Sequence, residues 1–220
     1  MSTLLKVAQS LVGKLHSVPA VHEGPGVVVL PAPVTSGGMP LLDAVSRRRS
    51  QRDFQPEALP LPLLSNLLWC GFGINREQSG GRTVPSAMNM QEIDIYVAMS
   101  SGLYRYEPRG HQLLRQVDKD VRPLTGYQDF VDKAPLDLIY VADTGMAAYA
   151  PVVVGAIAQN IYLYCASAGL ATVLRAWIDR DALARAMGLA SPKQVLMSQT
   201  IGLPAGEDDA PPRQPLLMAP

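Results

Sequence analysis

The chain has 220 residues, 48% hydrophobic and 17% charged, and its 19 acids balance its 19 bases. Such a composition can bury a sizeable core in one ordinary domain and excludes a disordered chain. Zero net charge excludes bulk attraction to nucleic acid or to an anionic membrane, so any anion site must be built locally.

Residues 1–40 are rich in Pro, Gly and Val and are expected to form an N-terminal extended arm. The opening "MSTLLKVAQSLVGKLHSVPA" has Gln9, Ser10 and Lys14 within its apolar run. It therefore reads as an amphipathic helix or loose arm rather than a cleavable signal, and a cytoplasmic location is expected. Leu41, Leu42 and Val45 recur at helical spacing in "LLDAVSRRRS", with the arginines arriving at the helix end. "LPLLSNLLWCGFG" predicts a second amphipathic helix stopped by glycine. "NREQSGGRTVPSAMNMQ" is a polar loop with a Gly-Gly turn.

"EIDIYVAMS" and "GLYRYEP" alternate like two strands of a hairpin joined around Ser101 and Gly102. "GHQLLRQV" predicts a short helix, and the stretch as far as Lys133 has no clear period. "LDLIYVAD" is a compact apolar strand. Residues 144–174 carry no charge at all, a run long enough to span a bilayer. Pro151, Gln159, Asn160, Ser167 and Gly169 interrupt it, so a central helix buried on all sides and ended by Gly169 is expected, with no membrane span. "LATVLRAW" follows as a strand, "DRDALARAMGL" as an amphipathic helix and "QVLMSQTIGLP" as a last strand. The expected class is α+β, a mostly antiparallel sheet flanked by helices. One domain is expected over 41–204, with a C-terminal tail at 205–220.

Four arginines and a serine crowd into "RRRSQR": Arg47, Arg48, Arg49, Ser50 and Arg52. Guanidinium is a planar fork of donors that matches phosphate oxygens in pairs, and a serine hydroxyl adds a neutral donor. Side chains two apart in an extended segment point the same way, so Arg48, Ser50 and Arg52 can converge on one ligand. The bland alternative is a solvated basic helix end, favoured by the helix dipole. In "RTVPSAMNMQ", Pro85, Ser86, Asn89 and Gln91 offer hydroxyl and amide groups just before a strand. They suit a polar ring ligand, or ordinary turn chemistry.

Other chemistries find little support. Cys70 and Cys165 lie in apolar segments without a CxxC partner and read as buried free thiols. His16, His22 and His111 are scattered, so no metal site is expected. No GxGxxG opens a helix after a strand, which argues against a Rossmann dinucleotide fold.

The segments "RRSQRDF", "LSNLLWCGFGINR", "GRTVPSAMNMQ", "GLYRYEPRGHQLL", "AQNIYLYCASAGLAT" and "TIGLP" occur in an order that resembles the nitroreductase superfamily of flavin enzymes. "LLWCGFGINR" and "GLYRYEPRGH" look most like its SagB-type dehydrogenase branch. The resemblance covers 41–204. It implies the nitroreductase-like fold, non-covalently bound FMN, NAD(P)H as a transient donor, and a homodimer with the long helix at its interface. It further implies that Arg48, Arg49 and Ser50 hold the flavin phosphate and ribityl chain, while Arg52 approaches the pyrimidine edge, where reduction develops negative charge. Pro85, Ser86, Asn89 and Gln91 would reach the flavin from the partner subunit. The strand at Leu174, Arg175, Ala176 and Trp177 would pass the flavin N5 and offer it a backbone N–H. Arg213, the last basic residue in the chain, would complete the phosphate site. No side chain is assigned as a catalytic acid or base, because the flavin carries the redox chemistry.

The chain departs from the family pattern at three places. Ala176 stands where many classical members have an acid beside the N5-contacting backbone. "ADTGMAAYAPVVV" offers Tyr149 without the lysine of azoline-oxidising relatives. Residues 117–133 hold no counterpart of the family's pyrimidine-contacting asparagine. The leading expectation is thus an FMN-dependent oxidoreductase reducing a nitroaromatic, quinone or similar small-molecule acceptor. A SagB-like, partner-dependent dehydrogenase of a modified peptide and a non-catalytic flavin-binding protein are the alternatives.

Overall fold

Period-two alternation organises the centre of the molecule. In the strand Ile93–Met99 (β4), Ile93, Ile95 and Val97 face one side, while Tyr96 and Ala98 face the other. Leu136–Asp143 (β7) beside it does the same, with Leu136, Leu138 and Tyr140 on the first side and Ile139 and Val141 on the second. Both faces are therefore apolar and both are covered.

The computed structural model describes residues 24–146 and 148–206. Around β4 and β7 lie Val27–Val29 (β1), Gly102–Glu107 (β5), Gln112–Val117 (β6), Ala171–Arg175 (β8) and Lys193–Gly202 (β9). The seven strands run in the order β1-β6-β5-β4-β7-β9-β8, every neighbouring pair antiparallel. Ile74–Arg76 (β2) and Gly81–Arg82 (β3) form a separate small hairpin. Four helices flank the large sheet among the described residues: Leu41–Arg47 (α1), Leu61–Phe72 (α2), Ala150–Ala168 (α3) and Arg180–Ala186 (α4). This is the α+β, nitroreductase-like architecture expected from the sequence. Leu64, Leu67 and Leu68 of α2 and Val154, Ile157 and Ile161 of α3 fill the first face. Leu183 of α4 fills the second.

The hairpin from β4 to β5 turns at Gly102, whose φ of +133° suits only glycine. A Cβ there would come within 2.6 Å of the Val117 carbonyl oxygen. That crowding comes from β6, and it marks a correction: the segment "GHQLLRQV" is a strand, not a short helix. Leu113 and Val117 at i and i+4 fit a helix locally. The pairing of β6 with β5 on one side and β1 on the other satisfies its backbone and buries Leu113 completely, which overrides that local preference. The same pairing draws Val27–Val29, within the segment expected as an arm, into the sheet edge.

Helix α3 is long and apolar enough to cross a membrane by length and composition alone. One of its faces is packed on the sheet and on α2, and Gly169 ends it in the left-handed region at φ 70°. The expectation of burial on all sides needs correction for the single chain. Pro151, Val152, Gly155 and Gln159 form an uncharged, exposed strip along its other face.

Candidate functional site

Helix α1 stops where the arginines begin. The Arg48 N–H still donates to the Ala44 carbonyl at 2.9 Å, but Arg48 itself has left helical geometry, at φ −57° and ψ 121°. The chain then runs extended. Gln51 N–H donates to Thr172 O at 3.0 Å, Gln55 N–H to Leu203 O at 2.8 Å, and Phe54 bridges Pro204. The arginine segment is thus held between β8 and the exit of β9.

The segment and the β8 backbone meet at one hydroxyl. The Ser50 Oγ lies 2.9 Å from the Tyr162 hydroxyl oxygen, and the Leu174 N–H donates to that same oxygen at 2.8 Å. The Arg48 guanidinium sits over the Tyr162 ring, 5.2 Å from its centroid. Beside them is an open cavity of about 520 Å³ lined by Arg47, Arg48, Arg49 and Gln51, with Gly169 and Cys165 at its floor. Among the described residues, no ion pair joins Arg47, Arg48 or Arg52 to an acid. Arg52 is exposed and does not line the cavity. Burial pushes the Cys70 thiol up to about 11 and raises that of Cys165 as well, so both stay protonated near neutrality.

The polar loop forms a second group, and none of its residues lines the arginine cavity of the same chain. The Gln91 N–H donates to Ser86 Oγ at 3.0 Å, and the Gln91 amide donates to Asn89 Oδ1 at 3.0 Å and to Gly80 O at 2.8 Å. Pro85 is exposed at the loop's start. Met88, Asn89 and Gln91 all have φ near +50°, a left-handed conformation that costs roughly 1–2 kcal/mol for Met88 and Gln91 and is better tolerated by Asn89. Arg82 Nε donates to Gln91 Oε1 at 3.0 Å, and burial pushes the Arg82 guanidinium down to about 10. Arg82 Nη1, Thr83 Oγ1 and both carboxylate oxygens of Glu92 are buried without a hydrogen-bond partner among the described residues. Non-glycine residues held in the left-handed region cluster at active sites and ligand clamps.

The third group is the end of β8. The Arg175 side chain is buried and donates to Asp137 Oδ1 at 2.7 Å, to Thr125 O at 2.9 Å and to Thr200 Oγ1 at 3.0 Å. Its charge is spent inside the protein, and burial lowers the pKa of the guanidinium despite the pull of Asp137. Ala176 and Trp177 are exposed, and the Trp177 ring lies 5.4 Å from that of Tyr127. Arg213 lies outside the described residues.

The model of the nitroreductase family matches residues 45–203. The chain belongs to the nitroreductase family. Membership places it among the flavin oxidoreductases in general. Its 34% identity over 153 residues to MJ1384 of Methanocaldococcus jannaschii, a protein named as a nitroreductase, covers 60% of this chain and 76% of that one. The crystal structure of a nitroreductase homologue (reut_a1228) from Ralstonia eutropha JMP134 is 45% identical, with a TM-score of 0.79 over 86% of this chain and 94% of the other. A chain of the E. coli microcin synthetase McbBCD complex shares the fold alone, at 17% identity and a TM-score of 0.61 over 91% of this chain and 92% of that one.

Two residues of this arrangement escaped the sequence. Tyr162 is one more aromatic in an apolar helix, and nothing in its spacing announces that it touches both Ser50 and Leu174. Asp137 had a weak signal, an acid flanked by Leu136 and Leu138 in the apolar strand "LDLIYVAD", which in a buried position demands a cation.

Proposed function

We propose that the protein is an FMN-dependent homodimeric oxidoreductase that draws on NAD(P)H and reduces a small-molecule acceptor such as a nitroaromatic or a quinone. The observation that carries this reading is the cluster of three arginines, Arg47, Arg48 and Arg49, around the cavity beside Ser50, with Ser50 tied through Tyr162 to the β8 backbone. The residues fit the group. The cavity's volume lies within the ~300–1,000 Å³ usual for small-ligand sites. Hydrogen bonds from such guanidinium groups to an ionised phosphate contribute about 1.5–3 kcal/mol each.

Arg48, Arg49 and Ser50 would hold the phosphate and ribityl chain, and Arg52 would meet the pyrimidine edge of the ring. Arg213 would add a further phosphate contact. Leu174, Ala176 and the neighbouring backbone would orient the ring edge that exchanges hydride. When bound, FMN supplies the redox chemistry, accepting hydride from NAD(P)H and delivering two electrons to the acceptor.

A second copy of the chain would bring Pro85, Ser86, Asn89 and Gln91. Two features support this: the loop's unpaired buried polar atoms, and the exposed uncharged surface of the strip of α3 and of Leu41, Leu42 and Val45 of α1. Covering that apolar surface supplies the driving force for association.

The test is an absorbance spectrum of the purified protein before and after anaerobic NADH or NADPH. Flavin that bleaches and returns with a nitroaromatic or quinone supports the reductase reading. Bound flavin that stays oxidised supports the peptide-dehydrogenase or flavin-binding alternatives, and no uptake of FMN overturns the cofactor assignment.

A further inference from the structure

A second cavity, of about 1,000 Å³, opens between the small β2–β3 hairpin and the turn from β5 to β6, and it shares no lining residue with the arginine cavity. Its volume reaches the upper end of the ~300–1,000 Å³ usual for small-ligand sites. Half-buried Pro33, Trp69, Ile74, Pro108 and His111 give it apolar and aromatic walls. Asn75, Glu77 and Gln78 of the hairpin and Arg109 of the turn supply its polar groups.

The walls are held in place by the protein itself. Trp69 Nε1 donates to Ile74 O at 3.1 Å, and a Cβ at Gly73 would strike the indole, so the ring is pinned against the start of the hairpin. The hairpin is tied down at its other strand, where the Thr83 N–H donates to Gly73 O at 3.0 Å and the Gln91 amide to Gly80 O at 2.8 Å. His111 lies at φ 49°, a conformation that persists where the surroundings over-determine it. Ser65 Oγ at 2.7 Å and the Tyr106 hydroxyl at 2.9 Å engage its two ring nitrogens, which leaves the imidazole as wall rather than ligand donor.

The charge available in the cavity belongs to Arg109. The carboxylate of Glu107, its nearest acid in sequence, accepts the backbone N–H groups of Arg109 at 3.1 Å and Gly110 at 2.5 Å and so serves the turn. Among the described residues, no ion pair joins the Arg109 guanidinium to an acid. Arg82, paired with Ile74 across the hairpin, is near enough to feel the charge of Arg109, and its Nη1 is buried without a hydrogen-bond partner among the described residues. Glu77 adds a negative charge to the same lining, so the cavity suits one anionic group rather than two.

We propose that this cavity is a binding site for a small aromatic monocarboxylate, its ring against Trp69 and the two prolines and its carboxylate on Arg109. A planar guanidinium takes a carboxylate two oxygens at a time, and the Asn75 and Gln78 amides can meet polar substituents on the ring. The site is separate from the arginine cavity and does not depend on the flavin reading.

The experiment is calorimetric titration of the purified full chain with 1-naphthylacetate and with its neutral amide, 1-naphthylacetamide, in the presence and absence of FMN. Wild type, Arg109→Gln and Asn75→Trp are compared, and thermal midpoints record the folding of each. Naphthylacetate should bind wild type, and Arg109→Gln should weaken it about tenfold or more, the loss of charge-assisted hydrogen bonds at one guanidinium. The amide should bind wild type more weakly than the acid and lose little further in Arg109→Gln. Asn75→Trp, which fills the cavity from an exposed position, should weaken both, and FMN should change none of these values. Equal naphthylacetate affinity in wild type and Arg109→Gln would overturn the proposal, as would absence of binding to wild type. An equal loss for acid and amide in Arg109→Gln would make Arg109 a prop for the walls and overturn the carboxylate assignment. Displacement of naphthylacetate by FMN would move it to the arginine cavity and overturn the separate site.

Discussion

The Tyr162 hydroxyl lies 2.9 Å from Ser50 Oγ and accepts the Leu174 N–H at 2.8 Å. One side chain of α3 therefore couples the arginine segment to the β8 backbone. Tyr162→Phe removes the shared oxygen while keeping the ring under Arg48. Stability should fall by about 1–2 kcal/mol, because the half-buried Leu174 N–H loses its acceptor. FMN affinity should fall by roughly three- to tenfold as Ser50 and the strand lose their common anchor. Urea unfolding and fluorescence titration with FMN measure the two effects separately.

Arg48 and Arg49 should matter for the phosphate rather than for the ring. Arg48→Ala is expected to weaken FMN by about ten- to a hundredfold, the loss of one to two charge-assisted hydrogen bonds. Riboflavin, which has the ring and ribityl chain but no phosphate, should lose much less. Parallel titrations with the two flavins decide the point. Equal losses for both would mean that Arg48 acts through its contact with the Tyr162 ring and not on an anion.

Much of this architecture was legible because the relevant forces are local and repetitive. "EIDIYVAMS" and "GLYRYEP" alternate like paired strands, and "LDLIYVAD" is a compact apolar run of strand length; the structure makes all three strands. The arginine segment was legible for a different reason: four cations within six positions, without interleaved acids, stand out in a chain of zero net charge. What escaped is non-local. Gln112–Val117 reads as a helix until β1 and β5 are available to pair with it. Tyr162 meets Ser50 across 112 positions, and Arg175 meets Asp137 across 38, so no window of sequence contains either relationship. Even the buried face of α3 was only half readable. The absence of charge announced burial, but not that Val152 and Gln159 would remain exposed in one chain.

Asp137 has no exposed surface, and its Oδ1 accepts from Arg175 and Thr200 while Oδ2 accepts from Thr125. Asp137→Ala leaves the Arg175 guanidinium buried without its counter-charge and should destabilise the protein by about 3–5 kcal/mol. Replacing both partners, as in Asp137→Ala with Arg175→Met, removes the stranded charge and should recover part of that loss. Denaturant midpoints for the two single variants and the double variant provide the cycle. A double variant no more stable than Asp137→Ala would show that the hydrogen bonds from Arg175 to Thr125 and Gln128, rather than charge pairing, hold this region.

His111 ties the sheet to α2 and should make stability sensitive to pH. Ser65 Oγ donates its proton to Pro31 O at 2.6 Å, so at 2.7 Å it accepts from His111 Nε2–H, leaving Nδ1 to accept from the Tyr106 hydroxyl at 2.9 Å. That pattern uses the neutral imidazole. Burial lowers the His111 pKa below its ordinary 6.5, with the Pro31 carbonyl acting weakly in the opposite sense. In the unfolded chain the ring binds a proton as pH drops through about 6.5, while in the folded protein it does so only at lower pH. The stabilisation is therefore complete above pH 6.5. It declines as pH falls from there toward the folded-state pKa, with a slope of at most about 1.4 kcal/mol per pH unit, and then levels off. His111→Asn keeps a residue that tolerates the φ of 49° at this position but cannot titrate. Urea midpoints at pH 7.5, 6.5 and 5.5 should show the variant less stable at pH 7.5, with a smaller further loss on acidification than wild type. A parallel loss in both proteins would assign the acid sensitivity to other groups.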